Sequence, residues 1–278
     1  MNKIIEKTDL SENVVKMVID APAIAGKRKA GQFIVLKIDE KGERIPLTIV
    51  DSDAERGAIT IIFQIVGKTT AKLATLNSGD GINDLQGPLG QPTEIENFGT
   101  VVCVGGGVGV GVVYPIAVAL REAGNRVISI IGSRTKELLI LEQETKDVSD
   151  RLIVTTDDGS YGFHGFVSQA LENLIQEGEK IDRVFAIGPV PMMRVVCNVT
   201  KPHGIKTIVS LNSIMVDATG MCGACRVSVG GETKFTCVDG PEFDGHDVDF
   251  DLLASRLRMY VDQEKEAFEK FRCECHGT

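Results

Sequence analysis

The chain has 278 residues, 43% hydrophobic and 25% charged, the proportions of a folded globular protein rather than a disordered one. With 30 Lys and Arg against 39 Asp and Glu its formal net charge is −9, which argues against a nucleic-acid partner, whose phosphates attract basic surfaces. At roughly 100–200 residues per domain, the length predicts two or three domains.

The first residues, Met1-Asn2-Lys3-Ile4-Ile5-Glu6, lack a signal peptide's apolar core, so a cytoplasmic location is expected. Residues 1 to about 97 read as all-β, with strands over 31–38, 47–50 and 58–65. Turn residues Asp51-Ser52-Asp53, Arg56-Gly57 and Ser78-Gly79-Asp80-Gly81 separate them. This spacing predicts an antiparallel barrel or sandwich, interrupted by a short helix over 69–76.

The rhythm changes near Thr100. Strands over 101–104, 126–131, 152–155 and 183–187 alternate with helices over 112–123, 138–145 and 166–176. Such alternation predicts a parallel sheet with helices on its faces. Glycines and Pro115 interrupt the apolar stretch 101–120, which reads as a buried strand, turn and helix; no membrane association is expected. From about Val209 a glycine- and cysteine-rich stretch runs to Gly240, and a charged helix is expected over 252–271. The expected division is an antiparallel β-barrel domain (1–98), an α/β Rossmann-like domain with a parallel sheet (99–208) and a small cysteine-rich C-terminal domain (209–278).

Three of the seven cysteines crowd into residues 222–237, as Asp217-x4-Cys222-x2-Cys225-x11-Cys237. In a cytoplasmic chain such clustering points to a metal or redox site rather than to disulfides. Plant-type ferredoxins hold a [2Fe–2S] cluster with Cys-x4-Cys-x2-Cys and a distant fourth cysteine. Here Asp217 takes the first place, and a carboxylate can ligate iron although it is harder than thiolate. Gly220, Gly223 and Gly230 let backbone amides approach the sulfurs. The alternative is a structural zinc site with three cysteines.

Gly105-Gly106-Gly107-Val108-Gly109 lies between a strand and a helix, where glycines admit a pyrophosphate to the backbone and the helix N-terminus. The alternative is a tight turn of an α/β fold. Gly188-Pro189-Val190-Pro191-Met192 follows the 183–187 strand at its ligand-binding carboxyl end, or else starts a helix with buried methionines. Ser133 and Arg134 follow the second strand of this domain, where an adenosine ribose would lie; Arg134 either faces a phosphate or is solvated. Asp157 begins Asp157-Asp158-Gly159-Ser160-Tyr161-Gly162, a wall of a nicotinamide pocket or a solvated turn. In the β domain, Pro46-Leu47-Thr48, Ile62-Phe63-Gln64 and Gly67, Thr69 and Thr70 form either a flavin surface or ordinary strands and a helix cap. Cys103 and Cys197 read as core residues, and the terminal Cys273-Glu274-Cys275-His276 is left out of the metal site. No Ser/His/Asp triad or paired-carboxylate hydrolase pattern is present, which suits chemistry carried by cofactors.

Several of these segments carry a resemblance. They are Glu43-Arg44-Ile45-Pro46-Leu47-Thr48-Ile49, Val66-Gly67-Lys68-Thr69-Thr70, Gly87-Pro88-Leu89-Gly90, the glycine loop from Gly105, the stretch from Asp157 to Gly162, and Asp217-Ala218-Thr219-Gly220-Met221-Cys222-Gly223-Ala224-Cys225-Arg226. On them the chain resembles the ferredoxin–NADP reductase superfamily over essentially its whole length. Within that superfamily it is similar to the electron-transfer subunits of dihydroorotate dehydrogenase and, more closely, to the small subunits of NADH-dependent reduced ferredoxin:NADP oxidoreductases. The resemblance implies FAD between the first two domains, at Pro46, Leu47, Thr48, Ile62, Phe63, Gln64, Gly67, Thr69 and Thr70. It implies NAD(H) at Gly105, Gly106, Gly107, Val108, Gly109, Ser133, Arg134, Asp157, Gly188, Pro189 and Met192, and a [2Fe–2S] cluster on Asp217, Cys222, Cys225 and Cys237. The dihydroorotate relatives have arginine directly before the proline, where this chain has Ile45 with Arg44 one place earlier, and cysteine where it has Asp217. The aspartate favours the ferredoxin:NADP branch.

The activity implied is that of an oxidoreductase subunit passing electrons between NAD(H), FAD and the cluster. Its implied partner is a large subunit with its own FAD and [4Fe–4S] clusters, which performs electron bifurcation with NADP(H) and ferredoxin. The alternatives are the electron-transfer subunit of an NAD-dependent dihydroorotate dehydrogenase and a non-enzymatic iron–sulfur sensor or scaffold.

Overall fold

Alternating apolar residues in the first third of the chain build one antiparallel sheet. A computed structural model describes residues 2–275, with side chains through Cys273. The elements are β1 (Asn2–Ser11), β2 (Val14–Asp20), α1 (Pro22–Ala25), β3 (Phe33–Lys37), β4 (Arg44–Asp53), β5 (Ala58–Gln64), α2 (Lys68–Thr75), β6 (Gly81–Ile82) and β7 (Asp84–Leu89). The strand order is β6-β1-β2-β5-β4-β3-β7. The two edge strands are consecutive in the chain, separated by Asn83 alone, so the sheet nearly closes into the expected barrel. Met17, Ile19, Ile34, Leu36, Ile49, Ile59, Ile61 and Phe63 fill its interior. Period-two alternation sends the intervening residues of β3 and β4 to the outer face.

The second sheet comprises β8 (Thr100–Gly106), α3 (Val110–Glu122), β9 (Arg126–Ser133), α4 (Glu142–Asp147), β10 (Arg151–Thr156), β11 (Phe163–His164), α5 (Val167–Gln176), β12 (Arg183–Ile187), α6 (Val190–Thr200) and β13 (Lys206–Ser210). Its order, β11-β10-β9-β8-β12-β13, is parallel throughout. Val101 and Cys103 of β8 face the α3 side, while Val102 and Val104 face α5 and α6. Both faces are covered, which is why β8 reads as an unbroken apolar run. Strand order reverses between β8 and β12, and that switch point is where open α/β sheets bind ligands.

The last group is β14 (Arg226–Val229), β15 (Glu232–Phe235), β16 (Glu242–Asp244), α7 (Phe250–Leu257) and α8 (Val261–Cys275). β14 and β15 form a hairpin whose turn, Gly230-Gly231, has positive φ at both residues, as a two-residue turn matching strand twist requires. β16 returns to the second sheet as an antiparallel edge beside β13.

Two expectations are corrected. The helix expected over 138–145 begins only at Glu142: Ile140 is buried in one cluster with barrel residues Val14, Val50 and Ile62, and Leu141, the residue before the helix, takes φ 53°. Tertiary burial outweighs helical propensity there. The helix expected over 252–271 breaks into α7 and α8. Phe250 and Leu253 of α7 bury into the α/β core, whereas α8 packs on α2 of the barrel, and one straight helix cannot meet both. In the tail, Cys273 is exposed; the Cys275 side chain and His276 lie outside the described residues. Among the described residues no helix is long and apolar enough to cross a membrane.

Candidate cofactor and nucleotide sites

The cysteine loop joins β13 to the β14–β15 hairpin. Arg226 pairs with Phe235, so Cys225 and Cys237 flank the open end of the hairpin. The Thr236 amide and hydroxyl donate to the Cys225 carbonyl at 3.2 and 2.8 Å, fixing that end. The two sulfurs lie 3.2 Å apart, too far for a disulfide, and both residues are buried. Burial, together with the Cys225 sulfur beside it, pushes the Cys237 thiol up to about 12. Two adjacent buried cysteine sulfurs suit a metal, whose charge would hold both as thiolates.

Cys222 is exposed, and the backbone amides of Ala224 and Asp217 hold its thiol below the usual range. Asp217 and Cys222 thereby form a second pair. The Thr219 hydroxyl, foremost, holds the Asp217 carboxyl low, and the Thr219 amide donates to it at 3.3 Å. Among the described residues no three His, Cys, Asp or Glu side chains converge on one ion. Two pairs suit a binuclear cluster, one iron per pair, better than a single tetrahedral zinc. The Gly220 amide donates to Cys237, as expected of a loop glycine, whereas the amides of Asp217 and Ala224 on Cys222 were not singled out from the sequence. Cys103 and Cys197 sit in the α/β core, where burial pushes both thiols up to about 12.

On the barrel, β3 and β4 pair Phe33 with Thr48, Ile34 with Leu47, Val35 with Pro46, Leu36 with Ile45 and Lys37 with Arg44. Directly opposed residues share a face. Ile45 and Leu47 therefore turn toward the barrel core with Ile34 and Leu36, while Pro46 and Thr48 stand on the outer face with Val35 and Phe33. Of the β5 candidates, Phe63 lies in the core, Gln64 is half-buried and Ile62 faces outward toward α3.

The α2 start is capped by Thr70, whose hydroxyl accepts the amides of Val66 and Gly67 at 3.1 Å each. The Thr69 hydroxyl donates to Glu43 at 2.6 Å. No atom lies within 4 Å of a Cβ built at Gly67, so the backbone at this helix start is open to an approaching group.

The glycine loop sits at the switch point. A Cβ on Gly109 would collide with the Ile187 carbonyl of β12, and one on Gly106 with the Met192 sulfur of α6. Gly188 and Met192 are thereby brought against the loop, with Pro189 exposed at the start of α6. Gly107 has φ 56° and open space before it. Val108 turns away, packing with Val110 against Val14, Val50 and Ile62. Ser133 is buried and donates to the Thr135 carbonyl at 2.6 Å, whereas Arg134 is exposed. The amides of Asp157 and Asp158 donate to the carbonyls of Ser133 and Arg134, so the loops after β9 and β10 form one wall. Burial raises the Asp157 carboxyl, and Arg134 opposes the shift.

The iron–sulfur cluster binding domain of dihydroorotate dehydrogenase B matches residues 212–249. A Thermotoga maritima protein named as a homolog of the electron transfer subunit of dihydroorotate dehydrogenase B (NAD(+)) is 49% identical over 98% of this chain and 95% of its own. An electron transfer subunit of that enzyme from Fusobacterium nucleatum is 31% identical over 88% of this chain and 96% of its own. Among solved structures, a chain from the NADH-dependent reduced ferredoxin–NADP oxidoreductase, studied for flavin-based electron bifurcation, superposes with a TM-score of 0.93 at 48% identity, covering 98% of both chains. A ferredoxin reductase of carbazole 1,9a-dioxygenase shares the fold, with a TM-score of 0.63 at 20% identity over 73% of this chain and 64% of its own.

Proposed function

Because the chain belongs to the family of dihydroorotate dehydrogenase B electron transfer subunits and their homologues, we propose that it is the small, electron-transferring subunit of an NADH-dependent reduced ferredoxin:NADP oxidoreductase. It passes electrons between NAD(H), FAD and a [2Fe–2S] cluster, with the flavin on residues 1–98, the dinucleotide on 99–208 and the cluster on 209–278. Its partner is a larger cytoplasmic subunit with its own flavin and [4Fe–4S] clusters, through which ferredoxin and NADP(H) are reached.

One adjacency carries this proposal. Pro46 and Thr48 are cross-strand neighbours of Val35 and Phe33, and Val35 and Phe33 pack against Ala218, Cys225 and Cys237. Neighbouring strands lie about 4.8 Å apart, so a flavin on the β4 face and a cluster over β3 are immediate neighbours. The backbone at Gly67 and Gly107 is open to an approaching diphosphate, and the Asp217/Cys222 and Cys225/Cys237 pairs fit a binuclear cluster.

The flavin supplies hydride exchange and the splitting of an electron pair into single electrons, which the cluster carries. The chain's own residues orient and seal. Val50 and Ile62 packed on Val108 and Val110 hold the nucleotide loop against the barrel and keep water out of that junction. Gly107 leaves its backbone open to a diphosphate, and Thr70 keeps the α2 start in register. Thr48 offers a hydroxyl on the flavin-facing side of β4.

The dihydroorotate reading has the support of the family name. The 49% identical Thermotoga homolog carries that name too, but the electron transfer subunit from Fusobacterium is only 31% identical, and the 48% identical structural match and Asp217 favour the ferredoxin:NADP reading. Purified protein is mixed anaerobically with NADH and, separately, with NADPH. Bleaching of a flavin band by NADH supports the proposal, and failure of both nucleotides to bleach one ends it. Copurification with an iron–sulfur flavoprotein supports the ferredoxin:NADP reading, and a dihydroorotate-oxidising partner supports the other.

A further inference from the structure

Arg44 opens β4 on the same face as Pro46 and Thr48. A guanidinium one residue later, at Ile45, would point into the barrel, because a shift of one residue on a strand changes its face. Opposite Arg44 on β3 is Lys37, and opposite Lys37 on β7 is Asp84. The guanidinium reaches over β3 to Asp84 at 3.2 Å, yet its Nε is buried without an acceptor.

The cysteine loop comes down on this region. Ala218, 2% exposed, packs on Val35, two residues along β3 from Lys37. Asp217 directly precedes Ala218 and so stands where the loop meets β3, the strand that the Arg44 guanidinium crosses to reach Asp84. A fixed cation thus lies at the aspartate end of the cluster site, on the side of the flavin strand.

We infer that Arg44, held by Asp84, sets a fixed positive charge at the Asp217 end of the cluster site, where that charge favours the reduced cluster. This inference rests on the cluster and flavin assigned under the proposed function. Reduction adds one negative charge to the cluster, and a nearby cation stabilises the more negative state. Asp84 both anchors the guanidinium and partly offsets it.

The test is an EPR-monitored redox titration of the full chain as isolated, with flavin and iron content measured alongside. R44Q is expected to move the cluster midpoint to more negative potential, and K37Q, which removes a charge on the same face without the Asp84 anchor, to move it less. D84N, which keeps Arg44 and removes its counter-charge, is expected to move it the other way. An R44Q midpoint equal to wild type, or a K37Q shift as large as that of R44Q, overturns the inference while leaving the electron-transfer function standing. If R44Q does not retain a cluster, D84N decides: an unmoved midpoint overturns it. Absence of a [2Fe–2S] signal from the wild-type chain overturns the proposed function itself.

Discussion

Val35 and Pro46 are cross-strand partners on the outer face of the barrel, one on the side of the proposed cluster and the other on the side of the proposed flavin. Val35 is buried under Ala218, Cys225 and Cys237. Pro46 stands on the strand assigned to the flavin. Because directly opposed residues are the closest side chains two strands offer, this pair would set the separation of the two proposed centres.

Val35→Ala opens a cavity between barrel and cluster loop. Loss of the buried methyl groups is expected to destabilise the protein by about 2 kcal/mol. Urea unfolding measures that loss, and iron per chain should fall with it. Full iron content at lower stability would show that the loop holds its cluster without support from β3.

Asp217 is half-buried and outside the core clusters, so Asp217→Ala should fold. Iron retention is expected to fall and the EPR spectrum to change. Asp217→Cys should keep the iron and shift the reduction potential, since ligand type sets it. Unchanged spectrum and potential in both variants would remove Asp217 from the ligand set.

Gly107 and Gly109 separate binding from folding. Gly107→Ala meets no neighbour but must hold φ 56°, at a cost of about 1–2 kcal/mol, and its methyl enters the open space assigned to the diphosphate. It should fold and bind NADH more weakly by tenfold or more. Gly109→Ala drives a methyl into the Ile187 carbonyl and should lower the yield of folded protein. Equilibrium dialysis and thermal unfolding distinguish the two effects.

Glu242 gives stability a pH dependence. Its carboxyl accepts the Thr93 hydroxyl at 2.6 Å beside Gly31, where barrel, linker and second sheet meet, and burial pushes it from 4.5 up to about 7. The folded state therefore binds this proton more tightly than the unfolded chain. The associated stability is complete below about pH 4.5 and is lost as pH rises through about 7. Glu242→Gln should be the more stable form at pH 8, by up to about 3 kcal/mol, with the advantage gone at pH 4. A difference independent of pH in urea unfolding would mean that the carboxyl titrates normally.

Local patterns determine much of this protein's fold. The period-two strands, the alternation after Thr100, the glycine loop and the cysteine spacing each concern residues within a few positions of one another, where backbone geometry leaves few options. They were enough for the barrel, the parallel sheet and the candidate cluster ligands.

What needed the tertiary structure is every relation between residues far apart in the chain. No local pattern marks β16 as the last strand of the nucleotide sheet, the break between α7 and α8, or the enclosure of Glu242. The face taken by Arg44 follows from the register of β4 against β3, and register is fixed by which side chains the barrel buries. The adjacency of Val35 to Cys225 and Cys237 has the same origin: the burial of one domain's surface on another brings flavin strand and cysteine loop together, and no spacing within either segment encodes that contact.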